Sequence, residues 1–146
     1  MNTLNNIDFI INLSTINTII SKKLDNSLGN IHGISFSEYI ILSHLNKIPN
    51  KTMRRIDLAQ QVGLSASGIT RAIAPMEKIG LLEKKQNERD ARVSLIKISS
   101  AGERILKEAS ATLEEKLNQF LENIKEKEFD TTLKVFRSLG NNITKV

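Results

Sequence analysis

The residues best suited to chemistry lie together in one stretch, residues 56–99, IDLAQQVGLSASGITRAIAPMEKIGLLEKKQNERDARVSLIKIS. Ser65, Ser67, Thr70 and Arg71 are small hydroxyls and a guanidinium within seven positions. Side chains of this kind hydrogen-bond phosphate oxygens and base edges, and an arginine matches the O6 and N7 of guanine. Gly68 stands among them. A glycine costs about 1 kcal/mol in a helix interior, so it serves either a close backbone approach to a ligand or tight packing on the preceding helix. Further on, Arg89, Asp90 and Arg92 form a charged cluster, and Arg54 and Arg55 stand just ahead of the stretch. Arginines suit phosphates and a narrow minor groove, and an acid between them can hold a guanidinium in one orientation. Each of these charges also has a plain reading as part of a solvated surface.

The charge balance favours a polyanion partner. Residues 53–99 carry nine basic and five acidic side chains, whereas residues 1–52 are net +1 and residues 100–146 net zero. Neutralising phosphates releases their condensed counterions, which makes a local basic excess a binding device. Catalysis finds no support. The sequence has no glycine-rich phosphate loop, no GxSxG elbow and no cysteine, which also excludes disulfides and thiolate zinc sites. His32 and His44 are the only histidines, and with Asp25 and Glu38 they show no spacing that sets two metal ligands on one helix turn. No metal and no cofactor are expected. No apolar run approaches the ~20 residues that span a bilayer, and the first twenty residues lack the basic leader of a secretory signal. A cytoplasmic location is expected.

The elements that must position these groups follow from periodicity. Ile7, Ile10, Ile11, Ile16, Ile20, Leu24 and Leu28 recur at helical spacing over residues 6–28, with Gly29 and Gly33 as stops. Ser35-Phe36-Ser37-Glu38 reads as a capping box opening a second helix to about Asn46. Residues 54–62 read as a short helix ended by Gly63, and Ser65 caps another running to about Ile79. In that helix Ile69, Ile73 and Met76 face the core, which turns Ser65, Ser67, Gly68, Thr70 and Arg71 outward. Pro75 removes the amide that would bond the carbonyl of Arg71 and should kink the helix or loosen its second half. Residues 81–85 and 92–98 read as a hairpin with the Arg89–Arg92 cluster at its tip. Ser100-Ala101-Gly102-Glu103 reads as another capping box, opening a helix striped by Leu106, Ala109, Leu113, Leu117, Phe120 and Ile124; a last helix covers about 127–141. The fold class is therefore mainly α with a small β-hairpin wing. A helix-turn-helix occupies residues 35–99, flanked by helices at 1–34 and 100–146 whose apolar stripes exceed what the centre can cover. Those flanks call for a second copy of the chain.

This segment resembles the MarR (multiple antibiotic resistance regulator) family of winged helix-turn-helix repressors. The resemblance rests on Leu58-Ala59, Val62-Gly63-Leu64-Ser65, Ser67 and Thr70-Arg71, then Met76 through Leu82. It continues in Arg89-Asp90-Ala91-Arg92, Val93-Ser94-Leu95 and Ile98 through Glu103, and spans roughly residues 35–125. It implies a homodimer held by its terminal helices, bound to a pseudo-palindromic operator in double-stranded DNA and released by a small-molecule effector. It also maps the family's wing arginine on Arg92 and its paired acid on Asp90. Ala91 departs from the pattern, standing where another basic residue is common, and Pro75 within the recognition helix is a second departure. Tyr39, His32 and His44 are candidates for an effector pocket, with core or surface roles as the plain alternative. A non-specific architectural DNA binder, or a winged helix that docks protein, is the competing reading. Preference for one site by roughly a thousandfold or more marks a regulator.

Overall fold

A computed structural model describes residues 3–144. The chain divides into two compact units, Met1–Leu113 and Glu114–Val146.

In the first unit, α1 (Thr3–His32) is longer than its periodicity suggests. It runs through Gly29 because Leu24 and Leu28 are fully buried, which outweighs the helix cost of one glycine, and it stops at Gly33, φ 69°. The expected box opens α2 (Phe36–Asn46): Ser35 Oγ accepts from the Glu38 amide at 3.1 Å and Glu38 Oε2 from the Ser35 amide at 2.8 Å. Asp25 of α1 adds a third bond, its Oδ1 accepting from the Phe36 amide at 2.7 Å.

A strand unforeseen in the sequence follows. β1 (Thr52–Arg54) takes Arg54 out of the expected helix, so α3 (Arg55–Val62) starts one residue later with Arg54 as its cap. Gly63 ends α3 at φ 72°, a conformation that favours glycine, and the Leu64 amide turns back to the Ala59 carbonyl at 2.8 Å. α4 (Ala66–Lys78) then begins, and it stays helical through Pro75. The Leu81 amide bonds the Met76 carbonyl at 2.9 Å, which closes α4 and delays β2 (Leu82–Gln86) by one residue. The Val93 amide bonds the Asp90 carbonyl in a turn, so β3 (Ser94–Ile98) starts two residues later than expected.

The sheet is antiparallel with order β1-β3-β2. Met53 pairs with Ile96 and Lys84 with Ile96 on its other side, which puts β3 in the middle. Ile41, Leu42, Leu45, Leu58, Ile69, Ile73, Met76, Ile96 and Ile98 fill the core beneath it.

The expected box at Ser100 is corrected by one position. Ser99 caps α5 (Ser100–Phe120): its Oγ accepts from the Gly102 amide at 3.0 Å and donates to the Gly80 carbonyl. Glu103 meets Lys51 Nζ at 2.7 Å instead of reaching back. Gly102 is required by space: a Cβ there would lie 2.3 Å from the Leu81 carbonyl oxygen and 2.8 Å from Ile98 Cγ1.

The second unit holds the end of α5 and α6 (Glu126–Ile143). α5 ends at Phe120, so Ile124 falls in the following turn rather than on the helical stripe. Glu128 Oε2 accepts from the Lys125 amide at the start of α6. No α6 residue is buried, and Phe129, Val135, Phe136 and Ile143 are exposed.

Candidate nucleic-acid interface

The amphipathic division of α4 follows the sequence expectation. Ile69, Ile73 and Met76 are at most 1% exposed, while Ser65, Ser67, Thr70 and Arg71 are exposed and Gly68 is half-buried. Three apolar anchors a helical turn apart fix the rotation of the helix and thus the outward direction of its polar side. Ser65 Oγ accepts from the Gly68 amide at 3.0 Å and lies 3.3 Å from Ser67 Oγ. A Cβ on Gly68 would sit 3.1 Å from Ser65 Oγ and 3.5 Å from Leu64 Cβ, so the glycine fits the turn as well as the open side. The Arg71 side chain makes no hydrogen bond or ion pair with any described residue.

Beside α4 lies the wing formed by β2, β3 and their connecting loop. Asn87 Oδ1 accepts from the Arg89 amide at 2.9 Å, and Asp90 Oδ1 accepts from the Arg92 amide at 3.0 Å. The same Asp90 oxygen takes Arg92 Nε at 3.3 Å, while the Arg92 side chain is 92% exposed. The pair expected from the sequence therefore exists: the acid holds the root of the guanidinium, and its far end projects into solvent. Arg89 is exposed, and no side-chain bond holds it among the described residues.

The two arginines ahead of α4 differ. Arg54 is exposed and forms a two-pronged pair with Asp57, at 2.6 and 3.0 Å, which raises its already high pKa through that hydrogen bond. Arg55 is half-buried against α4: Nη1 donates to Thr70 Oγ1 at 3.3 Å and Nη2 lies 3.9 Å from Glu77 Oε1. Arg54, Ile56, Thr70 and Arg92 face a shared cleft of about 330 Å³ between the start of α3, α4 and the base of the wing.

The three pocket candidates separate. His32 Nε2 is 2.7 Å from Thr112 Oγ1, and the Tyr39 hydroxyl is 3.0 Å from Ser110 Oγ, so both engage α5. Tyr39 also stacks on the half-buried ring of Phe36, 6.2 Å between centroids. His44 sits in the last turn of α2, its pKa lowered by partial burial and by Lys47. Among the described residues no hydrogen bond joins it to the other two. The sequence pointed to Tyr39 and His32 but gave no sign of Thr112 and Ser110. Those two hydroxyls sit on a helix read only for its apolar stripe. Among the described residues no group of three acid, histidine or cysteine side chains could hold a metal ion, and no helix is long and apolar enough to cross a membrane.

A helix-turn-helix with a hairpin wing defines a winged-helix protein. Residues 34–94 match the model of the MarR family. It is similar in fold to AbsC, a MarR family transcriptional regulator from Streptomyces coelicolor, with TM-score 0.86 at 18% identity over 100% of this chain and 98% of that one. A second regulator of that family from Streptomyces coelicolor, solved in complex with DNA, matches with TM-score 0.86 at 17% identity, covering 97% of this chain and 89% of that one. Among curated proteins, the uncharacterised HTH-type transcriptional regulator YdgJ of Bacillus subtilis is 20% identical over 139 residues, 95% of this chain and 81% of its own length.

Proposed function

We propose that the chain is a sequence-specific regulator of transcription that binds double-stranded DNA as a homodimer. One observation carries this reading: α4 presents a polar side with an arginine that has no partner among the described residues, directly beside a wing whose Arg92 projects from an anchoring Asp90. In this reading α4 enters the major groove. Arg71 reads a base edge, and Ser65, Ser67 and Thr70 hold base edges or phosphates at the N-terminal end of the helix. Gly68 lets the backbone come close. Arg92, oriented by Asp90, enters the neighbouring minor groove, with Arg89 and Arg54 on flanking phosphates. Similarity to a MarR family regulator solved with DNA supports the assignment.

The dimer is supported by what each unit leaves uncovered. Ile7, Ile10, Ile11, Ile16 and Ile19 of α1 are all half exposed or more, and α6 offers Phe129, Phe136 and Ile143. Apolar faces of this extent occur where a partner covers them. Two copies place two recognition helices on half-sites about one helical turn, ~34 Å, apart, which calls for a pseudo-palindromic operator. A small-molecule effector would act at the contacts of His32 with Thr112 and of Tyr39 with Ser110. A ligand that took over these hydroxyls would loosen α5 from α1 and α2.

The test is a shift assay with DNA fragments flanking the protein's own gene. A regulator prefers one fragment over scrambled DNA by roughly a thousandfold or more at fixed salt. Equal binding to every fragment would assign an architectural role. No binding at low salt would leave a protein-docking module.

A further inference from the structure

Pro75 creates a defect in α4 that the fold must manage. It has no amide to donate to the Arg71 carbonyl, and its ring crowds that carbonyl, yet residues 66–78 remain helical. The two residues that Arg55 touches lie on either side of this defect. Thr70 is one residue before Arg71, and Glu77 is two residues after Pro75. They are seven apart, on one face of the helix, so a group that touches both spans the turns of helix that contain the defect. The Arg55 guanidinium spans the two, at 3.3 Å from Thr70 Oγ1 and 3.9 Å from Glu77 Oε1. Thr70 Oγ1 in turn donates to the Ala66 carbonyl at 3.0 Å, which ties the bridge to the first turn of α4. The bridge is shielded: both side chains are about one-quarter exposed, and Arg55 Nε and Glu77 Oε1 are buried without a hydrogen-bond partner, so the Arg55–Glu77 contact at 3.9 Å is one of charge alone. Removing one partner of such a pair leaves the other charge shielded and uncompensated, which costs more than the loss of a pair on the open surface.

We propose that Arg55 is a positioning residue that splints the recognition helix across Pro75, so that base reading by its N-terminal half depends on a guanidinium that stays on the protein. The part concerning DNA rests on the function proposed above; the splint itself does not. Arg55 thus differs from Arg54, Arg89 and Arg92, whose guanidinium groups are open to solvent.

Two kinds of measurement separate the possibilities. In the free full-length protein, hydrogen exchange is followed in peptides covering residues 71–79. Arg55→Met, which keeps the aliphatic stem and removes the charge, is expected to speed exchange there roughly tenfold and to leave β2 and β3 unchanged. Pro75→Ala in the same chain restores the missing amide and is expected to return the exchange to its original rate. Unchanged protection in Arg55→Met, or no recovery with Pro75→Ala, overturns the splint whether or not the protein binds DNA. On DNA, Arg55→Met is expected to reduce the preference for the cognate over scrambled fragments while keeping the salt dependence of binding. A phosphate contact would instead lower the salt slope by about one, and that result overturns the proposal. Glu77→Met sharpens the distinction. A splint predicts weaker discrimination when this acid is lost, whereas simple electrostatics predicts tighter binding, and tighter binding with intact discrimination overturns the proposal.

Discussion

Arg71→Ala isolates the proposed reading head from the fold that carries it. Arg71 is exposed and makes no bond to any described residue, so truncation leaves no buried partner unsatisfied and opens no cavity. The stability of the variant should stay within about 0.5 kcal/mol of the parent, as for surface changes away from special features. Alanine also has the better helix propensity. The cost on cognate DNA should be large by comparison, about 1–3 kcal/mol for a lost pair of bonds to a base edge, or roughly 5- to 150-fold in affinity. Non-specific binding should fall much less, by the share of a single phosphate-sized charge. The assay is a titration of cognate and scrambled duplexes at two salt concentrations, with urea denaturation of both proteins alongside. Equal losses on both duplexes would show that Arg71 meets phosphate only. No loss on either would remove α4 from the interface, and with it the placement of the N-terminal hydroxyls.

Three further expectations follow from other parts of the molecule. Gly102→Ala puts a methyl 2.3 Å from the Leu81 carbonyl oxygen, which accepts from the Ser99 amide; overpacking and a broken buried bond should cost about 2–5 kcal/mol in chemical denaturation, and a loss under ~0.5 kcal/mol would contradict the close approach. Phe136→Glu on the exposed stripe of α6 should turn a species of twice the 16.4 kDa chain mass into a monomer in sedimentation, and an unchanged dimer would place the interface elsewhere. His44 has a lowered pKa in the folded chain because of burial and then Lys47, so the unfolded chain binds the proton more readily. The contribution of its neutral ring is intact above about pH 6.5 and is lost as the pH falls toward the folded value. Unfolding midpoints of His44→Gln should therefore fall less steeply than the parent's below that pH, and parallel curves would refute the shift.

Much of the fold was legible in the sequence because it is written in local rules. Ile69, Ile73 and Met76 give one helix face by spacing alone, Ser35 with Glu38 gives a cap, and Gly63 gives a left-handed stop. What escaped depends on partners distant in the chain. β1 has three residues, too few for a period, and exists because Met53 finds Ile96 across the sheet. Ser99 rather than Ser100 caps α5 because the Gly80 carbonyl and the crowding at Gly102 fix the register of that junction. The end of α1 moved past Gly29 because burial of Leu24 and Leu28 outweighs local preference. At the candidate site, residue types announced the outward hydroxyls, Arg71 and the Asp90–Arg92 pair. The turn of Arg55 onto Thr70 and Glu77 was invisible, since it needs the angle between α3 and α4.

The pairing pattern gives the basic excess of residues 53–99 a more definite meaning than its size. Asp57, Glu77 and Asp90 each take one arginine, and Glu83 lies 3.3 Å from Lys85. Acids that reduced the field without other use would be a handicap to a DNA binder, since long-range attraction follows net charge. Here Asp90 holds the exposed guanidinium of Arg92 at its root, Asp57 grips that of Arg54 with two bonds, and Glu77 lies against a shielded one beside α4. Of the basic side chains in the segment, Arg71, Lys78, Lys84, Arg89 and Lys97 have no acidic partner among the described residues. Attraction and orientation are thus divided between two sets of cations. In the proposed function, unpaired ones would supply the field that draws a polyanion in, and paired ones would give up part of that field for a fixed direction. Removing Asp90 would raise the net charge, yet it would free Arg92 to rotate. If Arg92 enters a narrow groove, as proposed above, it loses more by that freedom than it gains from one added charge.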